Sequence, residues 1–204
     1  MVRTVLEGSV RKSGNILRVT VQLINAEDGY HIWSERYDRT MDNIFAIQDE
    51  IALAVTEKLK ITLLENEKAN LIKAPTDNKT AYELYLKGLY FWNKRGVNLK
   101  KALEYFQQAV DCDPQFALAY SGIAQSLMLL SYYEMMKPKD AMPKAREAAE
   151  KAIELSPSLV EARFALAFVA AFFEWNWPEA KKQFQKAFSI NNNYAPAHHW
   201  YSTY

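Results

Sequence analysis

The stretch ALEYFQQAVDCDP (residues 102–114) decides the fold, because it returns twice with its small and apolar positions kept. The later copies are AREAAEKAIELSP (residues 145–157) and AKKQFQKAFSINN (residues 180–192), so their starts lie 43 and 35 residues apart. Each copy begins with alanine, has an apolar residue four positions later, and has another alanine three positions after that. A period of this length, with two helices in each unit, is typical of a helical solenoid. The pattern therefore predicts a repeat array that binds another polypeptide.

The composition excludes several other classes of protein. Half of the 204 residues are apolar, which is ample for a buried core, and the net charge of +1 gives no basic footprint for nucleic acid. No segment approaches the roughly 18 consecutive apolar residues of a membrane span, and the start of the sequence lacks the apolar region of a secretory signal. The single cysteine, Cys112, excludes an intrachain disulfide and a cysteine-based zinc site. We expect a cytoplasmic protein with no cofactor, no membrane insertion and no nucleic-acid partner.

The first quarter of the chain predicts a three-stranded antiparallel meander. Residues 16–25 alternate strictly between apolar and polar side chains, as in a half-buried strand. Residues 4–11 before them and residues 30–37 after them are also strand-like, and turn-forming residues separate the three segments. The side chains expected on the buried face of the middle strand are Leu17, Val19, Val21 and Leu23.

One helix is predicted after these strands. Asp42 or Asn43 caps it, and its apolar residues recur at steps of three and four to about Leu64. Three strands and one helix bury little area, so we expect this region to be the later part of an α/β domain whose earlier part the chain lacks. The sheet edge at residues 4–11 would then be open. We expect that edge to pair with a second copy, forming a homodimer, or with a segment supplied by another chain.

The stretches LEGSVRKSGN, RVTVQLINAEDGYHIWSERYDR and IFAIQDEIA resemble the distal half of the TolB-like amino-terminal domain. The resemblance covers residues 5–64. In bacterial signalling proteins this domain precedes tetratricopeptide repeats, often after an adenylate/guanylate cyclase catalytic domain or a winged-helix DNA-binding domain. The resemblance implies membership of a bacterial signalling or regulatory assembly. Neither catalysis nor DNA binding follows from it, because the corresponding modules are not present in this sequence.

Composition also suggests where the domains divide. Residues 1–73 form the predicted partial TolB-like domain, and residues 74–79 form a linker in which Thr76, Asp77 or Asn78 caps the next helix. Residues 80–204 contain the repeats, with a long loop expected at residues 131–143 to explain the step of 43. The predicted bounds of the three units and the partial fourth are 80–114, 116–157, 159–192 and 194–204.

The first unit carries the small and aromatic positions of tetratricopeptide repeats, which the chain resembles over residues 80–204. This resemblance implies stacked helix pairs that curve around a ligand-binding groove. The predicted fold class is therefore α+β, with a short antiparallel meander plus helix followed by an all-α tetratricopeptide-repeat superhelix. The residues of the first unit that carry the resemblance are Leu84, Gly88, Phe91, Ala102, Phe106 and Ala109.

In such an array the first helix of each unit lines the inner side of the curve. Repeat register selects positions that are rich in aromatic residues, nearly uncharged and without lysine or arginine, so we predict a groove for a protein or peptide partner rather than a clamp for a terminal carboxylate. The alternative is that these side chains pack against neighbouring units or under the helix at residues 44–64. The predicted groove residues are Tyr82, Tyr85, Leu89, Trp92, Asn93, Gln125, Met128, Phe164, Phe168 and Phe172. The same register also selects Leu118, Ser121, Leu129, Glu161 and Ala171.

Candidate catalytic and metal sites are weaker. The stretch GSVRKSG (residues 8–14) fails the spacing of a phosphate loop and lies in a predicted hairpin. His198 and His199 diverge on a helix and have no third metal ligand nearby in the sequence. Cys112 lies between two aspartates, which is an unfavourable setting for a thiolate nucleophile. We therefore predict a scaffold that is not an enzyme.

Overall fold

The alternating segment is the central strand of an antiparallel sheet in the computed structural model. This strand, β2 (Ile16–Asn25), pairs with β1 (Thr4–Ser13) on one side and with β3 (His31–Thr40) on the other. The predicted meander is confirmed, but both outer strands extend further than predicted. The first hairpin closes through only two residues, with Gly14 at φ +59°, which lets the ladder continue up to the turn.

The structure describes residues 3–40, 44–59 and 75–204. It divides into one unit at Met1–Ala74, which holds the sheet and α1 (Ile44–Lys58), and a second at Pro75–Tyr204. The predicted cap at Asp42 or Asn43 and the predicted helix end near Leu64 lie outside the described residues.

One face of the sheet carries the small core of the first unit. The predicted inward side chains of β2 are buried, except Val19, which is half-buried. Tyr37 of β3 and Ile47 of α1 join them, and Arg39 of β3 forms an ion pair with Glu50 of α1 at 2.7 Å. The alternation of the sequence therefore did identify which face of β2 is buried.

The apolar face extends past this core onto β1. Leu6 lies opposite Leu23 and Val10 lies opposite Val19, so both share the buried face of β2. Their side chains are nevertheless 54% and 65% exposed. Within the described part of the chain, no strand pairs with the outer edge of β1.

The second unit consists of three helix pairs and a single further helix. Within each pair the helices pack against each other, and the first helices of successive units also contact one another. No described helix has both the length and the apolar character needed to cross a membrane. The pairs are α2 (Lys79–Lys94) with α3 (Asn98–Cys112), α4 (Ala117–Tyr132) with α5 (Pro138–Leu155), and α6 (Val160–Phe172) with α7 (Trp177–Ile190), followed by α8 (Ala195–Tyr201).

The long loop expected at residues 131–143 is wrong. Helix α4 continues to Tyr132, and α5 begins at Pro138 and runs for 18 residues. Pro138 fits the first helical position, where its missing N–H has no intrahelical partner to lose, and Pro143 lies farther inside, where it removes one helical hydrogen bond. The longer step between the first two copies therefore comes mainly from longer helices.

The small positions of the repeat make room for one aromatic ring. Phe106 of α3 is buried between α2 and α4, facing Gly88 and Gly122. A Cβ atom on Gly88 would lie 2.5 Å from Phe106 Cε1, and one on Gly122 would lie 2.8 Å from Phe106 Cδ1. Both glycines are therefore required by close packing.

The residues before α2 are tied to the end of α3. Of the three predicted caps, Asn78 caps α2, because its Oδ1 accepts a hydrogen bond from the N–H of Ala81 at 3.0 Å. Its Nδ2 also donates to the carbonyl of Cys112 at 2.9 Å. The cap thus joins both helices of the first pair.

Candidate partner-binding groove

The repeat array curves far enough for its first and last units to line the same cavities. We call these two adjoining cavities the inner groove. They have volumes of about 230 Å³ and 350 Å³, and they share Trp92, Gln125 and Pro196. The smaller is also lined by Tyr85, Leu89, Phe106, Leu118, Ser121, Gly122, Glu161 and Tyr194. The larger is also lined by Arg95, Met128, Leu129, Tyr133, Phe164, Ala195, His199 and Trp200.

Six of the ten residues predicted for the groove line these cavities. Four further residues selected by the same register, Leu118, Ser121, Leu129 and Glu161, line them as well. The structure thus brings together side chains from three successive first helices at spacings that the repeat register anticipated. The six are Tyr85, Leu89, Trp92, Gln125, Met128 and Phe164.

The other four predicted residues lie outside the cavities. Asn93 is exposed and Tyr82 is buried. Phe168 is 1% exposed, with its ring centroid 4.8 Å from that of Trp200, and Phe172 packs against the same tryptophan. Helix α8 therefore covers the positions at which the register placed these two phenylalanines on the inner surface.

The sequence prediction missed several residues of the groove, of which Arg95 matters most. The groove was expected to contain no lysine or arginine, and the structure corrects this. Arg95 ends α2 with φ +57°, and its guanidinium carbon lies 3.5 Å from the centroid of the Trp92 ring. A residue in a turn falls outside the helical register, so no periodic pattern could place it. The other missed residues are Phe106, Gly122, Tyr133, Tyr194, Ala195, Pro196, His199 and Trp200, of which the last five lie in the stretch NNNYAPAHHWY (residues 191–201).

The smaller cavity has an acidic and hydroxylic lining. Burial raises the pKa of Glu161 above that of an ordinary glutamate. Burial, followed by the negative charge of Glu161, also raises the pKa of Tyr85 and of Tyr194. The amide of Gln125 acts in the opposite direction on the pKa of Tyr194. This end of the groove therefore offers oxygen atoms to a ligand.

The larger cavity contains donors without acceptors. Trp92 Nε1 and Arg95 Nη1 are both buried, and neither has a hydrogen-bond partner within the described ranges. Burial lowers the pKa of Arg95, and the groups that act in the opposite direction are Tyr133 and Tyr194 rather than a carboxylate. The two cavities thus differ in charge, with the carboxyl group of Glu161 lining the smaller and the guanidinium of Arg95 lining the larger.

A larger cleft, of about 1080 Å³, lies on the opposite face between α3 and α5. Its rim includes Lys151 and Glu154, which pair with each other at 3.0 Å. None of its lining side chains has a buried polar atom without a hydrogen-bond partner among the residues described. The residues with unpartnered buried donors that line a cavity therefore belong to the inner groove, although the outer cleft is larger.

Comparisons with known proteins agree with this architecture. Among solved structures, the Arabidopsis OM64 TPR domain has a TM-score of 0.50 at 16% identity and covers 60% of this chain and 92% of its own. The first TPR domain of human RPAP3 also has a TM-score of 0.50, at 18% identity, and covers 62% of this chain and 87% of its own. The helical array has the tetratricopeptide-repeat fold. At these identities the likeness concerns the fold alone.

Sequence comparison finds a bacterial relative of part of this chain. Putative adenylate cyclase 3 of Rhizobium meliloti (strain 1021) is 28% identical over 177 residues, which is 84% of this chain. The chain spans about 30% of that relative's length. No protein-family model matches the sequence, and the TolB-like assignment of residues 5–64 stays a prediction.

Proposed function

We propose that the repeat array is a non-catalytic scaffold that holds a segment of a partner polypeptide in the inner groove. The observation that carries this proposal is the pair of adjoining cavities, lined by aromatic and apolar side chains and by two residues whose buried N–H donors have no acceptor among the described residues. A peptide supplies apolar side chains together with carbonyl and carboxylate oxygens, and so matches both features.

The size of the cavities supports a peptide ligand. Volumes of about 230 Å³ and 350 Å³ suit individual side chains, and their shared wall would let a single extended segment place neighbouring side chains in both. Leu89 and Leu118 are only half-buried, so apolar area remains for a ligand to cover. Aromatic walls provide contact area at a low cost in side-chain entropy.

The likeness to a putative adenylate cyclase supports a role in bacterial signalling. We propose that the scaffold serves such an assembly, in which the output is carried by another part of the protein or by another chain. The repeats would then recruit a partner and would take no part in the chemistry.

Peptides selected from a display library of random sequences should test the groove directly. We expect the selected peptides to bind the whole chain and to lose about tenfold in affinity, or about 1.4 kcal/mol, when Leu89 is replaced by alanine. The matched control is Leu103→Ala, which removes an equally half-buried leucine from the outer cleft. Isothermal titration calorimetry measures the peptide affinity of both variants. Loss of binding in Leu103→Ala with none in Leu89→Ala would move the site to the outer cleft and contradict the proposal.

A second candidate function is self-association through the sheet. The exposed Leu6 and Val10 continue an apolar face next to an outer strand edge, which is the arrangement that pairs with another strand. A second copy of β1 offers the same edge and the same apolar residues, so the contact would be symmetric.

Light scattering at tens of micromolar checks this candidate. We expect a mass in solution of twice the 23.5 kDa of one chain. Replacing Val10 by lysine should reduce the measured mass to that of a single chain. Val97→Lys, at a 79% exposed position among the repeats, is the control and should leave the mass unchanged. A single-chain mass for the unaltered protein would exclude self-pairing.

A further inference from the structure

The larger cavity of the inner groove is lined by Arg95, for which the described part of the chain supplies no carboxylate counter-ion. The Arg95 guanidinium stacks on the Trp92 ring, which leaves its edge for hydrogen bonding. Its Nη1 atom and Trp92 Nε1 are both buried, and the described residues supply no acceptor to either. Glu161, the carboxylate of the groove, lines the adjoining cavity and not this one.

Such an arrangement is costly in the unbound protein. A buried donor without an acceptor loses its hydrogen bonds to water, and the loss is larger for a charged group. Stacking on an indole compensates part of the charge of a guanidinium but supplies no hydrogen-bond acceptor. Both residues line the larger cavity, so a ligand that places acceptor oxygens there would offset this cost.

We infer that this cavity binds a carboxylate of the partner segment, received by Arg95 and the indole N–H of Trp92. A carboxylate has two acceptor oxygens and forms charge-assisted hydrogen bonds with arginine, which are stronger than neutral ones. The other walls include Met128, Leu129 and Pro196, which suit the aliphatic part of the group that carries it. This inference rests on the proposed function and specifies the chemistry of the ligand.

The polarity of the groove would also orient the bound segment. A carboxylate in the Arg95 cavity places the neighbouring part of the ligand beside Glu161, Tyr85 and Tyr194, whose oxygens favour a donor. A segment bound in the reverse direction would bring its carboxylate next to Glu161. The two negative charges would repel each other, so the first direction is preferred.

Small capped amino acids test the site without a peptide partner. The whole chain, labelled with nitrogen-15, is titrated with N-acetylglutamate α-amide, with N-acetylglycine, and with the neutral N-acetylglutamine amide while the indole N–H resonances are followed. We expect a carboxylate probe to shift the resonance of Trp92, which a Trp92→Phe variant identifies by its loss. The neutral glutamine probe should leave the Trp92 resonance unchanged. No probe should shift the resonance of Trp175, which is exposed and serves as the control. Comparison of the first two probes tells whether a side-chain or a terminal carboxylate fits better.

Arg95→Gln should lower the affinity for the carboxylate probe at least tenfold, whereas Arg163→Gln should leave that affinity unchanged. Arg163 is a suitable control because it is also half-buried with an unpartnered nitrogen, but it contacts Gln183 of α7 instead of the groove. An equal shift with the neutral probe, or an unchanged affinity in Arg95→Gln, would overturn the inference. Because selected peptides that require Leu89 would still establish the groove, failure of the carboxylate site is distinguishable from failure of the proposed function.

Discussion

Replacing Phe168 by alanine is expected to lower the free energy of unfolding by about 3–5 kcal/mol, the range for deleting a buried phenylalanine ring. Phe168 is 1% exposed and packs among Tyr132, Phe172 and Trp200, so the lost ring would leave a cavity that these large side chains cannot readily fill. Urea unfolding followed by far-ultraviolet circular dichroism gives the value.

The companion variant Trp200→Ala tests whether Phe168 stabilises the array through its contact with α8. If Phe168 stabilises the array by holding α8, the two substitutions together should cost less than the sum of the single ones, because either alone already removes their shared contact. If Phe168→Ala lowers the free energy of unfolding by less than about 1 kcal/mol but abolishes peptide binding, Phe168 contacts the partner, as the repeat register predicted.

Gly88→Ala is expected to have opposite effects in two backgrounds. In the unaltered chain the new methyl group would lie 2.5 Å from Phe106 Cε1, and Gly122 confines that ring from another side. Overpacking of this kind costs about 1–3 kcal/mol, which outweighs the gain of up to about 1 kcal/mol from replacing a helical glycine. With Phe106 already replaced by alanine, which itself costs about 3–5 kcal/mol, only the gain should remain.

Four unfolding curves measure this reversal of sign. They are those of the unaltered chain, of each single variant and of the double variant. Gly96→Ala is no substitute as a control, although its Cβ would meet no atom within 4 Å, because the φ of +56° at this position would add backbone strain of its own. Destabilisation by Gly88→Ala in both backgrounds would show that something other than the Phe106 ring excludes a side chain at this position.

Local sequence predicted well the features that depend on neighbours along the chain. Alternation in residues 16–25 identified the buried face of β2, since successive side chains on a strand point to opposite faces. The recurrence of small and aromatic residues identified the helix pairs. Asn78 was among the predicted caps because a short polar side chain can accept from the first turn of the helix that follows it.

Prolines misled the prediction around residues 131–143. Pro138 and Pro143 suggested a loop, but the first turn of a helix tolerates proline, and tertiary packing of α5 against α4 offsets the hydrogen bond lost at the second. The balance between a lost hydrogen bond and a packed helix face is set by residues distant in sequence, so the local pattern could not decide it.

The sequence by itself determined the α+β class and the repeat array, because both follow from periodicity, and it predicted which faces of the first helices turn inward. Only the tertiary structure decided which inward side chains stay open to a partner. It buries Phe168 under Trp200, brings Tyr194 opposite Tyr85, and sets Arg95 on Trp92 from outside the helical register. The physical reason is curvature, since the angle accumulated over three helix pairs determines what the fourth unit covers and what remains exposed in the groove.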